Sequence, residues 1–211
     1  MRKLSFIILF VTIAIIASAQ TSGGQIVRKP KIDNSVDKRG QSKVPFYSQI
    51  TQNGINRNID GVVLGMSTKQ QVINRLKEKN MPYKYTEGGD VIMSFKDNTF
   101  GGVMWFAIYY RFYKDIVFKV TFSKYANNSD VYNSNIDSEF SALKRSLSNK
   151  YRSYYTDVTY KRMFSNTILF NDEKTEIELG KGYFEGTYMM NLVYTDFFYQ
   201  EKQFEKNDND L

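Results

Sequence analysis

Residues 100–123 read FGGVMWFAIYYRFYKDIVFKVTFS, and no other stretch limits the fold as tightly. The 13 residues from Phe100 to Phe112 carry one charge, Arg111, and Lys114 and Asp115 close the run. A helix needs about 20 apolar residues to span a bilayer, so the run is too short to cross as a helix. Its aromatic and β-branched content marks a strand. Ile116 to Ser123 then alternates, with Ile116, Phe118, Val120 and Phe122 on one face and Val117, Lys119 and Thr121 on the other. Two antiparallel neighbours are expected, joined at Tyr113-Lys114-Asp115. A three-residue loop would pair Phe112 with Ile116 and put Met104, Phe106, Ile108, Tyr110 and Phe112 in one uniform core. A two-residue turn at Lys114-Asp115 would shift the pairing by one residue and mix the faces. With the three-residue loop, Trp105, Tyr109, Arg111 and Tyr113 lie outside beside Lys119. Trp, Tyr and Arg are the residue types enriched at binding hot spots, so these five residues are the candidate partner- or ligand-binding set. The competing reading is that this face is covered by the leader over residues 20–58, by a second copy, or by the twisted sheet.

The remaining sequence supplies helices and further strands. Ser67 with Gln70 fits a capping box ahead of a helix over 68–79, whose Val72, Ile73 and Leu76 recur at helical spacing. A second helix is expected over 138–151 from Phe140, Leu143, Leu147 and Tyr151, with Asp137 as N-cap. Strands are expected at 91–96, 103–113, 116–123 and 157–164. TILF and TEIEL should form a hairpin about Asn171 to Lys174, and GTYMMNLVYTDF a long last strand with Tyr188, Met190, Leu192 and Tyr194 on one face. Helix-then-strands, read twice, predicts an α+β fold of two α-β-β-β units, about 59–125 and 135–198, with the helices on one face of an antiparallel sheet.

The N-terminus has the form of a secretory signal: Arg2 and Lys3, an apolar core from Leu4 to Ile16, and Ala17-Ser18-Ala19 before Gln20. Residues 1–19 are therefore expected to be cleaved, leaving a leader over 20–58, a domain over 59–198 and a charged tail over 199–211. No cysteine follows the apolar core to carry a lipid, so a periplasmic or extracellular location is expected, with no membrane span after cleavage. The chain has neither Cys nor His, which removes His-dependent triads, thiol nucleophiles and the usual N/S zinc sites. Its mild basic excess is interspersed with acids rather than gathered into a stripe, so nucleic acid is not an expected partner.

GVVLGMSTKQQVINRL, FGGVMWFAIYYRF, IVFKVTF and FSALKRSLSNKY together resemble a group of uncharacterised secreted proteins from Bacteroidetes. That group has a glycine-bracketed start, a helix, an aromatic strand after Phe-x-Gly, and a second helix ending in Lys-Tyr. Its architecture is similar to the tandem helix-plus-sheet folds of the beta-lactamase inhibitor protein and of SmpA/OmlA-type lipoproteins. The resemblance covers roughly residues 59–196. It implies a binding or scaffold role in the envelope and carries over no catalytic residues. The lipobox cysteine of the lipoprotein relatives is missing here.

Two motifs could suggest catalysis. Ser141 and Lys144 match S-x-x-K, but the companion motifs fail, since Val follows Ser129-Asp130 and Glu follows Lys174-Thr175. Glu176 and Glu178 share a strand face near the carboxyl separation of retaining glycosidases, yet Ile177 and Leu179 take the core face, which leaves both acids toward solvent. The acidic stretches around residues 171–176 and 207–210 do not match a calcium loop. The chain is expected to be a non-catalytic protein without a cofactor or metal, binding a partner protein through the aromatic face. A glycan- or small-ligand-binding module is the alternative, and a carboxylate hydrolase comes last.

Overall fold

Thr68 starts the first helix, α1 (Lys69–Glu78), because its hydroxyl accepts from the Gln71 amide while the Gln71 side chain accepts from the Thr68 amide. The capping box therefore sits one residue later than the sequence spacing predicts. Ser67 has a different task, accepting from the Val63 amide at 2.9 Å. Val72, Ile73 and Leu76 face inward as expected. The structure is a computed structural model and describes residues 54–86, 89–126, 130–158, 163–164 and 166–209.

Among the described residues, twelve strands accompany α1 and two further helices. In chain order they are β1 (Asn58–Ile59), β2 (Val62–Val63), β3 (Tyr83–Tyr85), β4 (Val91–Ser94), β5 (Asn98–Phe100), β6 (Val103–Trp105), β7 (Ala107–Tyr113), β8 (Ile116–Tyr125), β9 (Tyr155–Thr156), β10 (Asn166–Asn171), β11 (Thr175–Phe184) and β12 (Thr187–Asp196). The second helix, α2, spans Asp130–Lys150, and the third, α3, spans Phe197–Asn209. An eight-stranded antiparallel sheet runs β3-β4-β7-β8-β12-β11-β10-β9, and β1-β2 and β5-β6 are separate small ladders. The fold is α+β with an antiparallel sheet.

α2 begins eight residues before the expected start, so Asp137 lies inside the helix and is not its cap. The charge-rich tail is helical through Asn209, where no order was expected. Of the strand expected over 157–164, residues 157–158 and 163–164 lie outside any strand and 159–162 lie outside the described residues. The expected signal peptide and almost all of the expected leader, residues 1–53, also lie outside them. Among the described residues no helix is long and apolar enough to cross a membrane.

One core fills the side of the sheet beneath α1 and α2. It joins Val72, Ile73 and Leu76 of α1 and Ile136, Phe140, Leu143 and Leu147 of α2 to Ile108, Tyr110, Phe112, Val120, Phe122, Ile177, Leu179, Leu192 and Tyr194. The β5–β6 hairpin packs into the same layer. The Phe100 ring stacks on Phe122 at 4.5 Å, and a Cβ on Gly101 would come 3.1 Å from Leu143.

The junction of β7 and β8 departs from the expected loop. Lys114 and Asp115 form a two-residue turn with φ of 43° and 74°, the left-handed pair that hairpins favour. Tyr113 pairs with Ile116 and Phe112 with Val117, but Arg111 pairs with Lys119. Phe118 is thus an extra residue, a β-bulge. The bulge takes up the phase shift of the short turn, so Val117, Val120 and Phe122 all reach the core despite it.

The segment before α1 closes one end of the sheet. Gly65 N donates to Val117 O at 2.8 Å and Val117 N to Ser67 O at 2.9 Å, which extends hydrogen bonding along β8. Its partner β12 ends at Asp196, beside this point. Arg57 forms an ion pair with Asp196, whose side chain is almost fully buried, and donates to Leu64 O at 2.9 Å and Thr175 Oγ1 at 3.4 Å. Asp196 also caps α3, accepting from the Tyr199 amide at 3.1 Å. Burial pushes the Asp196 carboxyl above its ordinary range, while Arg57 and the amides of Tyr199 and Phe198 pull it back. Gly65 has a φ of 72°, and a Cβ there would collide with both members of the pair. Removing one partner from a buried pair typically costs about 3–5 kcal/mol. Arg57→Met and Asp196→Ala are therefore each expected to lower stability by about that much in urea unfolding. Gly65→Ala should destabilise as well, and a Gly65→Ala variant as stable as wild type would show that the approach is not tight.

Candidate functional site

The five residues expected on the open face do not stay together. Trp105 belongs to the main core: it is 0% exposed, and its indole Nε1 donates to Phe100 O at 2.9 Å. The reading of Trp105 as an outer-face residue is corrected by this burial. Its physical cause is the break at Phe106. β6 pairs with β5 and β7 with β4 and β8, so the alternation does not run unbroken from Val103 to Tyr113. Met104 consequently points outward at 46% exposure and Phe106 is half-buried, where both were expected in the core.

Tyr109, Arg111, Tyr113 and Lys119 do lie on the face opposite α1 and α2, though none is fully exposed. Tyr109 is buried with Val91, Met93 and Ala107 in a second apolar cluster, and Phe95 packs edge-on against it at 6.2 Å. Arg111 and Lys119 sit directly opposite one another on β7 and β8, and both have partners. Burial lowers the pKa of the Arg111 guanidinium, with Asp90 opposing the shift. Tyr113 meets the ring of Tyr199 at 6.3 Å, and α3 lies along β7, β8 and β12 on this face. One end of the outer face is thus occupied by the protein's own C-terminal helix, and not every helix packs on the same side.

The other end of that face is aromatic. Strand alternation places Phe95, the residue after β4, Tyr109 of β7, Tyr125 of β8, Met189 of β12 and Phe184 of β11 on it, and all but Tyr109 are half-buried. Phe106 packs edge-on against Tyr125 at 5.3 Å. Toward β11 the surface flattens, because Phe164 lies over Gly180 and Gly182, where a Cβ would come within 2.8 Å and 3.2 Å of its ring. The sequence reading missed Phe95, Tyr125, Met189 and Phe184. The period-two spacing of Val91, Met93 and Phe95 is the signal that could have found the first of them.

The acidic pair on β11 also differs from expectation. Glu176 faces away from Ile177 and Leu179 as anticipated, yet it is buried at 7% exposure and Glu178 is half-buried, both with partners. Glu176 is therefore not a solvent-side charge, because the outer face is partly covered. Ser141 donates to the Asp137 carbonyl at 2.8 Å on the exposed side of α2, and Lys144 is exposed. Among the described residues no group of three or more acidic side chains is placed to hold a metal ion.

Comparison with family models, curated proteins and solved structures gives no match to this chain.

Two measurements check these placements. Trp105 is the single tryptophan, so native fluorescence should be blue-shifted and weakly quenched by acrylamide. Trp105→Ala should cost about 3–5 kcal/mol. Burial raises the pKa of Tyr109, Tyr110 and Tyr194, and Tyr188 is pushed up to about 12. Unfolded phenols ionise near about pH 10. Stability from the protonated phenols is therefore present below that pH and lost as pH rises above it. Phenolate absorbance from the three buried rings, Tyr109, Tyr110 and Tyr194, should appear together with loss of structure in an alkaline titration, not before it.

Proposed function

We propose that the protein is an exported, non-catalytic binding or scaffold module of the cell envelope that engages a partner protein through the outer face of its sheet. The observation that carries this reading is the aromatic end of that face, where Phe95, Tyr125, Met189 and Phe184 are half-buried beside the fully packed Tyr109. Rings of this kind lose little conformational freedom on binding and supply large contact area. The sheet beneath them is stiffened by a full core on its other side, so the surface is preorganised. Export rests on the signal-like N-terminus, and the location we infer is periplasmic or extracellular.

The element order supports a further structural reading. α1 precedes β3, β4, β7 and β8, while α2 precedes β9, β10, β11 and β12, and the last strand of each set pairs with the other at the sheet centre. We read this as two helix-plus-meander units joined through β8 and β12. It agrees with the tandem architecture that the sequence resemblance implies.

The test is site-specific crosslinking in envelope extract with a photoreactive residue at position 125. A discrete adduct is expected, lost on Phe95→Ser with the circular dichroism spectrum retained and the variant still folded at the assay temperature. Adducts unaffected by Phe95→Ser, or seen equally from a control position on α1, would refute the outer face as the partner surface.

A further inference from the structure

The β11–β12 hairpin ends at Glu185 and Gly186, both left-handed with φ of 46° and 78°. Just before the turn, Tyr183 pairs across the hairpin with Tyr188, and both side chains point to the face that carries α2. Tyr183 is 67% exposed, more than any other large apolar side chain among the described residues. Its ring packs on a neighbour, with its centroid 4.9 Å from that of Tyr188 at a 49° tilt. Tyr188 is fixed in turn, because its hydroxyl donates to Asp137 Oδ1 of α2 at 2.6 Å. Lys181 forms an ion pair with the same oxygen, and its ammonium lies 4.9 Å over the Phe140 ring.

This chain of contacts leaves one group unused. Asp137 Oδ2 has no partner among the described residues, and the side chain is 51% exposed. Lys181 and Tyr188 hold the Asp137 carboxyl below its usual range, so it is a carboxylate at neutral pH. An exposed aromatic ring packed on Tyr188 therefore sits beside a carboxylate oxygen whose charge is partly offset by Lys181.

We infer that Tyr183, Tyr188 and Asp137 form a subsite for a neutral saccharide, with the apolar C–H face of one pyranose ring on Tyr183 and a ring hydroxyl donating to Asp137 Oδ2. A pyranose with equatorial hydroxyls has a flat C–H face that fits an exposed aromatic ring. Its hydroxyls at the rim can reach a neighbouring acceptor, and a carboxylate acceptor makes the stronger, charge-assisted bond. An acidic sugar would instead bring its own carboxylate against Asp137. The subsite lies on the helix side of the sheet and does not depend on the outer-face reading.

Saturation-transfer NMR on the full chain tests the subsite, with cellotetraose and chitotetraose as neutral probes and tetragalacturonate as the acidic one. Transfer should reach the axial C–H protons of at least one neutral probe at millimolar concentration. Tyr183→Ala, at an exposed position, should abolish it. Asp137→Asn should weaken affinity by about tenfold, the scale of one charge-assisted bond. Tyr125→Ser on the outer face should leave binding unchanged, which separates this site from the partner surface. No transfer from either neutral probe, transfer surviving Tyr183→Ala, or equal binding of tetragalacturonate would each overturn the inference.

Discussion

The buried ion pair of Arg57 and Asp196 is the contact on which the rest of the architecture turns. Asp196 is the last residue of β12, the N-cap of α3 and the partner of a guanidinium from the segment that precedes α1. A single carboxylate therefore fixes where the sheet ends, where the last helix begins, and how the entering chain crosses over both. Arg57 matches this task because its planar fork reaches Asp196, the Leu64 carbonyl and Thr175 together, which a lysine could not do. Gly65 completes the arrangement by leaving room for the pair. Nearby, Asp172 ties the same entering segment to the β10–β11 turn, accepting from the Ile55 amide at 2.7 Å and the Thr175 amide at 2.7 Å.

The sequence made some of this legible and hid the rest for identifiable reasons. Helical spacing located Val72, Ile73 and Leu76, and alternation located Tyr188, Met190, Leu192 and Tyr194, because in both cases a local period meets a single buried face. Trp105 was misplaced because period-two counting assumes one continuous strand, and Phe106 interrupts it. The β7–β8 turn was misassigned for a related reason. An unbroken ladder with a uniform core requires a three-residue loop, whereas the protein uses the shorter turn and restores phase with Phe118. Nothing local to residues 114–118 announces a bulge; it is settled by the demand of Val120 and Phe122 for the core.

The candidate surface was harder to read because burial on the outer face comes from elements distant in sequence. α3 packs on β7, β8 and β12, Phe164 lies over Gly180 and Gly182, and Tyr109 is enclosed by Val91, Met93 and Phe95, so that Glu176 and Tyr109, which look solvent-facing by alternation, are both buried. What alternation did establish is which side of the sheet each residue takes. Deciding which of them remain accessible needed the tertiary fold.

The order of strands also governs how the sheet can assemble. β8 and β12 meet at its centre, so the hydrogen bonds that join its two halves unite residues 119–125 with 189–195. Contacts so far apart in the chain form late and slowly, since loop closure must precede the gain. Until the final strand arrives, β8 offers a ten-residue unpaired edge bearing Val120 and Phe122, the kind of template that invites association with other chains. Among the described residues the finished sheet instead ends in β3 and β9, of three and two residues. Completion of β12 thus exchanges a long adhesive margin for two short ones. Chains cut short before residue 187 should be the aggregation-prone species of this protein.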